Sequence, residues 1–101
     1  MVIPDLIATL EGLTSPRREV DEAMRIHFKY PPKPWNYTSS LDAAVALCER
    51  VLPGYDWIVG HTNGGLTIHA QVGQNEMVFG ETPAIALLIA ILTALEAREN
   101  G

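Results

Sequence analysis

Cysteine is almost missing from this chain: Cys48 is the single one in 101 residues. That excludes an internal disulfide and fits a reducing cytosol. Cations are also scarce, with 7 Lys and Arg against 12 Asp and Glu, for a formal net charge of −5. Sequence-independent binding to a nucleic-acid polymer draws its affinity from phosphate neutralisation, so this balance argues against it. No apolar run reaches the roughly 20 residues a membrane span needs. Met1 to Leu6 lacks a basic region ahead of an apolar run, which predicts no secretion signal. Repeats, low-complexity tracts and a Gly-rich phosphate loop are likewise missing, and one domain over residues 1–101 is expected. His27, His61 and His69 lack the tight spacing of zinc ligands. No serine or cysteine sits in a nucleophile context. The expectation is therefore no catalytic residue, no metal and no cofactor.

What the chain does have is an apolar closing stretch. Thr82-Pro83 reads as a helix N-cap followed by proline at the first helical position, where its missing N–H costs nothing. From Ala84 to Ala94 only Thr93 is polar. Ile85, Leu88, Ile89 and Leu92 make one stripe, while Leu87, Ile91 and Leu95 point elsewhere. A helix apolar nearly all round must be buried nearly all round. In so short a chain that predicts a homo-oligomer, most simply a dimer, whose second copy covers what the first leaves bare.

Three helices are expected earlier. Pro4 to Glu11 carries Leu6, Ile7 and Leu10 in line with Ile3, with Gly12 as its stop. A second opens at Ser15-Pro16, repeats Val20, Ala23, Met24, His27 and Phe28 at helical steps, and ends at Tyr30-Pro31-Pro32. A third is capped by Ser39 and stopped by Pro53-Gly54, with Leu41, Ala44, Val45, Cys48 and Leu52 facing inward. Cys48 in that stripe reads as a small core hydrophobe.

From Tyr55 the apolar period becomes two. Tyr55 to His61 and Leu66 to Val72 read as strands joined at Asn63-Gly64, a strong hairpin signal. A two-residue turn there pairs Thr62 with Gly65, Gly60 with Thr67 and Ile58 with His69. Trp57, Val59 and His61 then share a face with Leu66, Ile68 and Ala70. Asp56, Ile58, Gly60, Thr67, His69 and Gln71 share the other. A two-residue turn after Gly73 brings back a third strand, Glu76 to Gly80, with Met77 and Phe79 on the apolar face. The expected fold class is α+β: a three-stranded antiparallel meander layered with helices, in the order α-α-α-β-β-β-α. The early helices pack around the last one or over the sheet's other face.

A binding site for a polar ligand is assembled from three places. Tyr30 to Tyr37 is stiffened by three prolines, and Trp35 and Tyr37 offer rings for stacking on a purine, a contact worth roughly 1–3 kcal/mol per base. Arg25 and Lys29, four residues apart on one helix face, suit a phosphate. His69 and Gln71, alternate residues of a strand, supply polar edges.

Pro34 to Leu47 (P-W-N-Y-T-S-S-L-D-A-A-V-A-L) and Thr82 to Leu95 (T-P-A-I-A-L-L-I-A-I-L-T-A-L) resemble small phage and prophage proteins of the phage ABA sandwich domain family. The resemblance spans roughly residues 16–97 and rests on caps and apolar faces; His61, Asn63-Gly64 and His69 depart from any family pattern. It implies a sheet layered with helices, a phage origin and a host bacterial cytoplasm, and it supplies no catalytic residues. By analogy with small phage proteins that counter host defence, the first functional expectation is a non-enzymatic protein that sequesters a nucleotide-derived immune signal, a cyclic ADP-ribose isomer or a cyclic oligonucleotide. A phage adaptor that inhibits a host protein is the second, and its mark would be an exposed apolar patch. A nucleotide hydrolase using His69, with Asp56 as the only strand partner, is the third.

Overall fold

The computed structural model describes residues 3–15, 17–28, 36–62 and 67–100. Its elements are α1 (Ile3–Glu11), α2 (Arg18–His27), α3 (Leu41–Val51), β1 (Trp57–Thr62), β2 (Thr67–Val72), β3 (Val78–Gly80) and α4 (Pro83–Asn100). The strands form one antiparallel sheet in the order β1-β2-β3, so the fold is α+β in the expected order.

Everything is arranged about α4. Thr82 caps it, its Oγ1 accepting the Ile85 N–H at 3.1 Å and its carbonyl the Ala86 N–H at 2.9 Å. One side of α4 packs on the sheet, and α1 and α3 pack on the rest of its surface. Every residue from Ala84 to Leu92 is consequently buried. Thr93, the polar exception, donates its hydroxyl to the Ile89 carbonyl at 2.8 Å, which satisfies it inside the helix. The motive for a second copy at this helix is thereby removed. Intramolecular layers already cover it, and any partner must use another surface.

The capping residues differ in part from expectation. Ser40, not Ser39, caps α3, its Oγ accepting the Ala43 N–H at 3.2 Å. α2 starts at Arg18 behind Arg17, whose side chain makes no cap bond. A polar clasp holds this end instead. The buried Thr38 accepts the Arg17 N–H at 3.0 Å, and the Asp21 carboxylate accepts the Thr38 N–H at 2.7 Å. Burial raises the Asp21 carboxyl above its ordinary range, against the lowering effect of the Thr38 bonds. α2 itself packs on α1 and on no strand.

Both hairpins are longer than two-residue turns would make them. Thr62 pairs with Thr67, and Ile58 with Gln71 rather than His69. That shift is two residues, so the side-chain faces of β1 and β2 survive it. The second hairpin pairs Ala70 with Val78 and Ile68 with Gly80, one residue away from expectation. An odd shift exchanges faces. Val78 and Gly80 therefore face α4, whereas Phe79 points away and is 57% exposed, with Met77 at 44%. The longer turn is held by side chains: Asn75 Nδ2 donates to the Val72 carbonyl at 3.1 Å, and Gln71 Nε2 donates to the Asn75 carbonyl at 2.8 Å.

Gly80 lets β3 approach α4 closely. A Cβ at that position would stand 2.7 Å from the Ala86 nitrogen and 2.8 Å from its Cα.

Candidate functional site

The surface left over by this layering is the outer face of the sheet, which no helix packs against among the described residues. Its centre is His69, with Gly60 opposite on β1 and Phe79 opposite on β3. Ile58, 55% exposed, sits across from Gln71. The face thus has a polar spine along β2, made of Thr67, His69 and Gln71, flanked by Ile58 on one side and by Met77 and Phe79 on the other. His69 leans over Gly60: a Cβ there would be 3.1 Å from both its Cε1 and Nε2. Its Nδ1 is buried without a hydrogen-bond partner.

Among the described residues expected to hold a nucleotide, only some meet here. Lys29 and Trp35 lie outside the described residues. Tyr37 is 1% exposed and belongs to the core cluster, so its ring is unavailable for stacking on a ligand. Its place in the core follows from Thr38 being pinned to α2 beside it. Arg25 lies on α2, away from every strand, and its Nη2 is 2.8 Å from Glu22 Oε2, a carboxylate that neutralises the charge meant for a phosphate. Gln71 commits one amide N–H to the turn. Of the four described, Arg25, Tyr37, His69 and Gln71, only His69 and Gln71 share a surface, as strand alternation requires.

Nor does the His69–Asp56 pair form a proton-transfer site. Gly60 stands opposite His69, and Asp56 is four residues earlier, roughly 13 Å away along extended chain. His27 is occupied edge-on against Phe28, with ring centroids 4.8 Å apart. No group of three or more His, Cys, Asp or Glu able to hold a metal exists among the described residues. Cys48 is buried, and burial, with Glu49 adding to it, pushes its thiol upward, away from reactivity. No described helix is long and apolar enough to cross a membrane.

Two hollows remain. One, of about 210 Å³, lies where the starts of α3 and α4 meet, lined by Thr38, Ser39, Leu41, Thr82, Pro83 and Ala84. Its hydroxyls serve the backbone: Thr82 caps Ile85, Thr38 binds Arg17 and Ser39 donates to the Asn36 carbonyl. The other, of about 310 Å³, is an open groove at the end of the sheet, adjoining the outer face through Thr67 and Phe79 and lined also by Glu11 and Glu81.

Sequence reasoning puts Ile58 on this face but assigns Met77 and Phe79 to the opposite one, and it singles out neither Glu11 nor Glu81. For Met77 and Phe79 the missing signal is the length of the second hairpin. No protein-family model matches the sequence, and no curated protein and no solved structure matches it either.

Proposed function

We propose that this chain is a non-enzymatic binding protein that docks a protein partner on the outer face of its sheet. The observation that carries the reading is the exposure of Ile58, Met77 and Phe79 on one face that no described helix covers. Apolar side chains grouped in this way favour contact with another protein surface. A polar spine between them suits an interface with an apolar rim and a few orienting hydrogen bonds. Of the functions the sequence suggests, this is the adaptor. In a phage setting its partner would be a host protein.

The test is the paired variant Ile58→Asp/Phe79→Asp. Both positions are outward, so the variant should melt like the parent while losing any protein that co-purifies with the parent after crosslinking in cells. Retention of that partner by the variant would reject the reading.

A nucleotide-derived signal is the competing ligand, kept in view by the partnerless Nδ1 of His69. A thermal-shift screen with cyclic nucleotides and ADP-ribose isomers separates the two. A raised Tm with the ligand recovered intact favours sequestration, and consumption of the ligand favours a hydrolase.

A further inference from the structure

The groove beside the outer face has a chemistry of its own. Glu11 ends α1 and Glu81 follows β3, so two elements far apart in sequence bring one carboxylate each to the same hollow of about 310 Å³. Both residues are exposed. Neither makes a hydrogen bond or an ion pair among the described residues. The same hollow is lined by Ile68 and by the exposed Phe79. Two unpaired carboxylates lining one hollow select a cation. An aromatic and an aliphatic side chain in the same lining select a cation carried on an apolar stem. A planar guanidinium, with donors on several edges, is better suited than a compact ammonium to reach two carboxylates and a ring together.

We propose that this groove receives an arginine side chain of the protein partner, with Glu11 and Glu81 on its guanidinium and Phe79 against its stem. This inference rests on the docking role of the outer face, because Thr67 and Phe79 belong to both. It specifies a partner with a basic residue projecting beside an apolar contact patch. The formal net charge of −5 would also favour approach of a basic surface.

The probes are two fluorescent seven-residue peptides alternating valine with arginine or with citrulline, which has a similar shape but no charge. Fluorescence polarisation should show the arginine peptide binding at least tenfold more tightly and weakening as salt rises. Glu11→Gln/Glu81→Gln should remove that preference without lowering Tm, since both side chains are exposed and unpaired. Amide shifts on titration should centre on Thr67, Ile68 and Gly80. Equal affinity for the two peptides, an unchanged preference in the double variant, or no binding at about 1 mM would overturn the proposal. So would spermidine displacing the peptide at lower concentration than unlabelled peptide does, since the cation would then be a free polyamine. If Ile58→Asp/Phe79→Asp loses the crosslinked partner while Glu11→Gln/Glu81→Gln keeps it, the docking face stands and the arginine pocket falls. If both variants keep the partner, the docking role itself fails.

Discussion

His69 on β2 lies over Gly60 on β1, so close that a Cβ at Gly60 would come within 3.1 Å of the imidazole Cε1 and Nε2. The glycine leaves a gap in the outer face, and the ring across the strand covers it. Such cover compensates for the side chain a glycine cannot pack. His69→Ala should therefore destabilise the sheet by roughly 0.5–1 kcal/mol, the scale of a cross-strand pair. In a Gly60→Val background the same substitution should cost less, since the valine already fills the gap. A double-mutant cycle by urea denaturation measures the coupling. Strict additivity would mean that the two residues do not support each other.

Gly80 is constrained more severely, because the atoms facing it are backbone. With the Ala86 nitrogen and Cα inside 3 Å of a would-be Cβ, neither α4 nor β3 can yield without the other. Gly80→Ala should lower stability by about 1–3 kcal/mol, the range for overpacking a filled interior. A melting temperature equal to the parent's would show that β3 can drift away from α4 at no cost.

Asp21 supplies a pH signature. Its raised carboxyl pKa means that the folded state holds this proton more tightly than the unfolded chain does. The group's contribution to stability is then fully present below the ordinary aspartate value of about 4 and is lost as pH rises through the raised one. Asp21→Asn keeps an oxygen for the Thr38 N–H but does not titrate. Its stability relative to the parent should improve as pH rises across that window. Asp21→Ala, by contrast, strands a buried N–H and should cost about 1–3 kcal/mol. Thermal melts of both variants from pH 3 to 7 check the sign; a relative stability of Asp21→Asn that falls with pH would contradict it.

The two faces of the sheet should respond differently to truncation. Leu88→Ala, inside the fully buried part of α4, should cost about 2–5 kcal/mol. Phe79→Ala, on the outer face, should stay within about 0.5 kcal/mol despite removing a larger side chain. Denaturant midpoints compare them directly. Comparable losses would mean that the outer face is packed and not free to dock a partner.

Much of this architecture is local chemistry that sequence alone determined. A threonine before Pro83 caps α4 because its hydroxyl can reach the Ile85 N–H from that one position. The run from Ala84 to Leu92 had to be buried on all sides because it offers water nothing. Period two from Trp57 to Thr62 and from Thr67 to Val72 assigned those strands their inner and outer faces, and a register shift of two residues left the assignment intact. Tertiary structure decided the rest. Whether Phe79 or Val78 faces the core turned on a single residue of loop length, set by Asn75 and Gln71 bonds that bridge the turn. Whether α4 was covered by a second copy or by its own chain turned on where α1 and α3 dock, a long-range packing outcome with no local code. The same packing drew Tyr37 into the core beside Thr38, left Arg25 on the side away from the sheet, and brought Glu11 and Glu81 to one groove. Caps and periodicity act over a few residues, whereas a surface site is assembled from distant segments only once the layers close.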